Sequence, residues 1–521
     1  MRPVHLVPAG VVLLALGAIV GAAQFTGSAA PGPGPAAMVP QQVAVTSAAR
    51  ACPPIPGGGS GKVAFIAGSA GSAGSASAGS AAASPSGSGQ AELAPLPLAG
   101  DQLRALNPIS QTEPGTLALL TTPAAQNASD VQNRGAAQNT NSGKKAATPL
   151  QGWSVTASGT MAQALEAEES TSAGLGSVRC GEPGSDIWFV GPGQQGGAAQ
   201  IQLDLMNIDA LPASVDVSAI TDAGLVQAGD DTGITVPPHE TVTESLSSLA
   251  AGASVISIEV RTSIGRVAAD VSESPAHGGT ATWLPSTAVP STRLVIPGVP
   301  PSGSPAGLYI VVPGTANARV GVLAITAQGQ HQPFGTQAVD LPGDSASYVP
   351  LTPLGGTAAL EVTANVPIAA AVLVPGSGLG AVTAATAPIS EQAIVAGNTT
   401  GSGLGVTLAL SAPAGPARVR LTELAAPAAP AAPAASRATS SQVVTVQAGH
   451  TLTVPAALPK GAGPGSAFAV VITPLPGSGP VYAARVETQG QRTVVSIMPA
   501  ISALTTLTLP PVRDSYGAIS P

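Results

Sequence analysis

The run Gln200-Ile201-Gln202-Leu203-Asp204-Leu205-Met206-Asn207 is followed by Ser214-Val215-Asp216-Val217, Gly233-Ile234-Thr235-Val236-Pro237-Pro238 and Val255-Ile256-Ser257-Ile258-Glu259-Val260. Apolar and polar side chains alternate through it with a period of two, as they do in antiparallel strands that turn one face to a core. The same succession returns as Leu308 to Val312, Arg319 to Ala324, Ala338 to Pro342 and Leu360 to Ala370. It comes again as Val406 to Leu410, Ala417 to Leu421, Val443 to Val446 and Ala467 to Ile472. A blurred copy around Thr116 to Leu120 and Trp153 to Ala157 precedes them. Repetition at about 100 residues means stacked β domains.

Six or seven short strands per repeat, joined by tight turns, fit an immunoglobulin-like or fibronectin-like sandwich. The sequence therefore predicts an all-β protein, an N-terminal transmembrane or signal helix followed by tandem antiparallel β-sandwich repeats. The alternative is a β-propeller; blades usually hold four strands in about 40 to 50 residues, so each repeat would be two blades. The expected divisions are a signal anchor at 1–25, a Gly/Pro/Ala-rich tether at 26–51, β units at 52–180, 181–285, 286–380 and 381–509, and a tail at 510–521. Gly68 to Gly89 and Asn127 to Lys145 read as loops that blur the first unit, and Ala425 to Ala435 as a Pro-rich loop in the last.

Charged residues make up only 9% of the chain and aromatics 2%, a balance that by itself suggests disorder. The 44% apolar content argues the other way, because much of it is Val, Leu and Ile in alternating runs that can bury surface. A net charge of -8 without a basic patch disfavours nucleic acid and anionic lipid headgroups as partners.

Leu6 to Phe25 carries no charged side chain and follows a lone Arg2. At about 1.5 Å per residue such a helix reaches across a hydrocarbon core of about 30 Å. Residues 6–25 are thus expected in the cytoplasmic membrane, with the short end inside by the positive-inside rule and the rest extracytoplasmic. Cleavage near Gly21-Ala22-Ala23-Gln24, releasing a secreted protein, is the alternative. In an exported chain the two cysteines, Cys52 and Cys180, read as one disulfide closing a loop of about 130 residues; two buried thiols are the other reading.

The passage Val178-Arg179-Cys180-Gly181-Glu182-Pro183-Gly184-Ser185-Asp186-Ile187-Trp188-Phe189-Val190-Gly191 resembles a signature of an uncharacterised family in high-GC Gram-positive bacteria, domain of unknown function fifty-seven-nineteen. Gly265 to Ala269, Thr282 to Pro285, Val295 to Gly298 and Gly479 to Arg485 extend the likeness. The resemblance implies a membrane-anchored or secreted envelope protein with no established activity and a link to surface-glycan assembly. It brings no catalytic residues with it.

The remaining motifs favour no chemistry. Gly57-Gly58-Gly59-Ser60-Gly61-Lys62-Val63 fails as a phosphate loop because Pro56 and Val63 stand where Gly and Ser/Thr are needed. His5, His239, His277, His331 and His450 are scattered singly, so no metal site is expected, and no cofactor. Glu166, Glu168 and Glu169 form the densest carboxylate group; it reads as a solvated strand face, with glycoside hydrolysis or Ca²⁺ binding as the functional alternatives. Trp153, Trp188 and Trp283 read as core plugs, or else as stacking platforms for a glycan or another partner. The expectation is a non-enzymatic envelope protein presenting its β surface to protein or glycan partners, with a carbohydrate-binding module as the alternative.

Overall fold

The computed structural model describes residues 41–509 apart from 57–58, 70–88, 101–107, 123–150, 172–175, 227–231, 276–280, 302–303, 377–378, 400–402, 428–438, 464 and 491–492. The expected anchor at 6–25 and the tail at 510–521 lie outside the described residues, as do most of the two low-complexity loops of the first unit. Among the described residues no helix is long and apolar enough to cross a membrane. The chain forms two compact units. One, made from the chain ends, contains the ribbon in which Gln41–Ala44 pairs with Thr506–Leu509. The other, Ala44–Thr506, contains all the remaining sheets.

That larger unit is all-β and antiparallel within its sheets, and it repeats one plan in four modules. Module one runs from Ser47–Cys52 to Ser177–Arg179, module two from Asp186–Pro192 to Thr282–Leu284, module three from Ser291–Val299 to Ala381–Ala384, and module four from Ala393–Thr399 to Thr493–Ala500. Each has eight strand positions in two sheets, ordered first-sixth-third-fourth and fifth-second-seventh-eighth. The reading of six or seven strands falls short because the last position is only three residues long in Ser177–Arg179 and Thr282–Leu284, too brief to show alternation. Residues 47–51, expected in the tether, already form the first strand of module one. Ala381–Ala384, expected to open the fourth unit, pairs with Ala358–Val374 and completes module three.

The sixth and seventh positions show how one residue alters the plan. In module two they are Val255–Ile264 and Ala268–Pro275, separated at Gly265, whose φ of +74° turns the chain. In module three no glycine intervenes, and Ala358–Val374 continues from one sheet into the other as a single 17-residue strand.

Alternation decides what each face covers. Within a module the two sheets share one apolar core: Val63 and Phe65 meet Leu93, Trp153 and Val155 in module one, and Phe468, Val470 and Ile472 meet Leu408 and Leu410 in module four. Each fully buried aliphatic or aromatic side chain of this kind contributes about 1.5 to 3 kcal/mol. The other face of each sheet meets the next module. The second sheet of module one packs on the first sheet of module four through Ala64, Ile66 and Leu117 against Ile394, Ala469 and Val471. Module four's second sheet meets module three's first, with Tyr482 on Val295, Ile325 and Ala359. Gly298 permits this approach, since a Cβ there would stand 2.3 Å from Ala484 Cβ. Module three's second sheet joins the core of module two through Tyr309, Val311 and Ala371. Module two's second sheet then returns to module one's first, with Met206 and Ala268 on Ala51 and Leu96. The circuit is closed, and the eighth strands of modules one, four, three and two touch in that succession.

Candidate functional site

The seventh strand of module one, Glu166–Thr171, is where the charge of this sparsely charged chain collects. Ala167 points into the module core; by alternation Glu166 and Glu168 point the other way. All three carboxylates are buried, Glu166 at 2% exposure, Glu168 at 1% and Glu169 at 2%. This corrects the expectation of a solvated face: that face of the strand is covered by module four, whose residues lie more than 200 positions away in the chain.

Two linked groups result. Glu168 Oε1 lies 2.5 Å from Arg485 Nη1, and its Oε2 accepts the Gly397 N–H at 2.9 Å. Arg485 is itself fully buried; it also donates to Ser177 Oγ and has Glu487 at 3.5 Å. Ser177 Oγ and Ser496 Oγ share a hydrogen bond of 3.1 Å. Burial opposes the Arg485 charge, but Glu168 and Glu487 more than offset it and its pKa is raised. Nearby, Arg179 Nη2 donates to Glu166 Oε2 at 2.7 Å, and Arg50 Nη1 faces Glu182 at 3.3 Å. Burial pushes the Glu166 carboxyl up against the pull of Arg179 and Arg50. Burial, with Arg179 as a like charge, pushes Arg50 down.

The second group has no cation matched to it. Asp204 and Asp270 stand directly opposite each other on neighbouring strands of module two, at 0% and 4% exposure. Burial, then Asp270 and Asp204, raise the Glu169 carboxyl well above its ordinary value. Burial, then Asp204, do the same to Asp270, with Arg179 opposing. Burial lifts Asp204 to about 6 even though Thr243 and Gln202 donate to it. Glu169 Oε2 and Asp270 Oδ2 have no hydrogen-bond partner, so protonation is what makes their burial tolerable. No group of three or more His, Cys, Asp or Glu among the described residues is arranged to hold a metal ion.

Glu166 and Glu168 each face an arginine rather than a second acid across a cleft, so the geometry for glycoside hydrolysis is not assembled there. A small cleft of about 40 Å³ opens beside the network, where Arg179, Trp283 and Met498 meet. A wider one of about 480 Å³ lies on the outer strands of module one, with Ser110, Gln111, Thr116 and Leu119 facing Ala426 and Pro427.

The disulfide pairs Cys52 with Cys180, both fully buried, across 128 positions. Trp153 is 4% exposed, Trp188 5% and Trp283 7%, so none offers an open stacking face. Trp153 sits opposite Cys52 on the neighbouring strand in the module-one core. Trp188 Nε1 donates to Asp186 Oδ1 at 2.8 Å. The platform reading is therefore corrected: Trp153 and Trp188 plug module cores, as large aromatic rings with one polar edge commonly do, and Trp283 is buried in the wall of the small cleft. His239 is exposed at a turn, and His450 Nδ1 lies 2.8 Å from the Ala448 carbonyl. Arg485 is the residue that sequence reading passed over. The signal for it was a lone cation in the apolar strand Ala483-Ala484-Arg485-Val486.

No curated protein and no solved structure matches this chain. A family model described as a family of unknown function, DUF5719, matches residues 135–457, more than half of the sequence, ending just past the fifth strand of module four, and the chain belongs to that family.

Proposed function

We propose that this protein is a non-enzymatic component of the cell envelope, anchored in the cytoplasmic membrane by residues 6–25 and displaying its β modules outside to protein or glycan partners. The observation that carries the reading is the Cys52–Cys180 disulfide. Such bonds persist in oxidising compartments and are rare in the cytosol. Its full burial in the module-one core gives it a structural place. The buried ionisable groups support the same reading, because they join modules to one another and do not converge on an open cavity.

The sheets fit a closed ring better than a row of independent immunoglobulin-like sandwiches. Two sheets in each of four modules make eight, each covered on both faces, with the eighth strands in contact. That is the blade count of an eight-bladed propeller whose repeat is two interleaved blades. A row of sandwiches would leave the outer faces of modules one and four uncovered, whereas here they pack on each other.

The deciding experiment is thiol labelling and protease digestion of intact cells. Inaccessible thiols that appear only after reduction, together with digestion from the outside, are the expected result; free thiols in a protease-protected protein would overturn the proposal. The carbohydrate-binding reading no longer rests on tryptophans, but the hydroxyl- and amide-lined cleft of about 480 Å³ is of a size for a sugar. Binding of envelope polysaccharide that Ser110→Trp abolishes would favour it; binding unaffected by that change would count against it.

A further inference from the structure

The fourth strand position differs between modules in a way that the shared plan does not require. It lies at the edge of its sheet throughout. In module one it is three residues, Ile109–Gln111. In module two it is broken into Gly224–Val226 and Ile234–Val236, and in module three into Gly329–His331 and Val339–Leu341. Short or interrupted edges are one of the ways in which sheet proteins avoid pairing with other chains. In module four the position is a single strand, Thr439–Val446, in register with Ala417–Ala425 over all eight of its residues. Among the described residues no strand pairs with its other edge.

Its sequence, Thr439-Ser440-Ser441-Gln442-Val443-Val444-Thr445-Val446, has no charge, no proline and no glycine. These are the devices that blunt an edge, and other edges here keep them. Glu240 and Glu244 mark the fifth strand of module two, and Pro350 and Pro455 close those of modules three and four. The fifth strand of module one, Thr116–Thr122, is uncharged too, but Gln111 Nε2 donates to its Thr116 carbonyl at 2.7 Å and the wider cleft walls it. Thr439–Val446 has neither device, and Val443 on it is 49% exposed.

We propose that Thr439–Val446 is a strand-addition site at which two copies of this protein join edge to edge, merging two four-stranded sheets into one. The chemistry selects a second copy over an unrelated strand. An edge without charge offers no counter-ion to a charged partner, and the same strand on a second copy is an uncharged edge of matched length. A two-fold axis normal to the joined sheet sets one residue opposite itself, and Val443, the exposed valine, is the residue that the axis would pass. Gln442 then lies opposite Val444, and Ser441 opposite Thr445. An isologous contact of this kind closes at two copies.

The test uses the full chain in its membrane. Val443→Cys is expected to give a covalent dimer on mild oxidation, because opposed residues in an antiparallel pair bring their Cα atoms to about 4.5 or 5.5 Å, within disulfide reach. Leu225→Cys, equally exposed in module two, should give none. Sedimentation of the detergent-solubilised protein at micromolar concentration should show a dimer, and Val443→Lys should reduce it at least tenfold in affinity with unchanged thermal unfolding. A monomer at all concentrations, equal crosslinking at positions 443 and 225, or a dimer indifferent to Val443→Lys would overturn the proposal.

Discussion

Module one meets its two neighbours by opposite electrostatic means. Toward module four it offers Glu168, which finds a buried arginine, a backbone N–H and a serine network already in place. Toward module two it offers Glu169, which finds Asp204 and Asp270. The first junction sets its carboxylates against a buried cation. The second is an excess of acid that is tolerable only while protons are bound. Both junctions use adjacent residues of one strand, so the difference comes from what surrounds each side chain: Arg485 at Glu168, and two further carboxylates beside Glu169.

The largest effect is expected at the matched junction. Arg485→Met leaves Glu168 buried and Glu487 half-buried without their cation, and removing one partner of a buried pair costs about 3 to 5 kcal/mol. Denaturant unfolding should show that loss. Adding Glu168→Leu to Arg485→Met should recover most of it, since replacing both partners by apolar groups is often close to neutral. A single mutant as stable as the wild type would remove this pair from the contacts that hold modules one and four together.

The unmatched junction should announce itself in pH. Asp204 has its pKa raised from 3.8 to about 6 by burial, so the folded state holds a proton that the unfolded chain has released. A group raised in this way gives its full contribution below about pH 4 and has lost it once the pH passes about 6. A shift of that size corresponds to about 3 kcal/mol. Asp270 and Glu169 are raised well above their ordinary values by burial and neighbouring acids, and add to the loss in the same direction. Unfolding free energy measured between pH 4 and 8 is expected to fall as pH rises, and Asp204→Asn/Asp270→Asn to flatten that dependence. A curve that rises over this interval would mean that the three acids do not face one another.

Glu273 sharpens the comparison because it is an acid with neither a cation nor another carboxylate to explain it. It is fully buried, both its oxygens lack a partner, and burial alone raises its pKa well above the ordinary value. Glu273→Leu should raise stability at pH 8 by about 1 to 3 kcal/mol, the scale of an unmet polar group. Glu273→Gln should gain less, since its amide is left equally unpaired.

How much of this was legible in the sequence follows from distance along the chain. The alternation at Leu203, Val215 and Ile258 told which side chains turn inward, and all three are fully buried. Period-two reading also told that Glu166 and Glu168 share a face. It gave no means of knowing that the face is dry, because what dries it is Gly397 and Arg485, in another module. Local pattern reports which residues lie together on a face; it is silent on what packs against that face. Trp153, Trp188 and Trp283 teach the same lesson, since a spaced aromatic looks alike in sequence whether it is a platform or a plug.

The smallest effect concerns a turn that the modules share. Just before the fifth strand the chain passes through the left-handed region at His239 in module two, φ +57°, at Asp344 in module three, φ +49°, and at Gly449 in module four, φ +72°. Only the last has the residue that adopts this conformation without a Cβ penalty. His239 is exposed and Asp344 donates its N–H to the Gly314 carbonyl at 2.8 Å, a backbone bond that any residue would keep. His239→Gly and Asp344→Gly should therefore each stabilise the protein by about 0.5 to 1 kcal/mol, less the extra freedom that glycine gives the unfolded chain. Gly449→Ala should cost at least as much, because Gln330 side-chain atoms lie 3.2 Å from where its Cβ would be. Opposite signs at the equivalent positions would show one turn serving all three modules; a loss at His239 or Asp344 would show that the side chain itself is needed there.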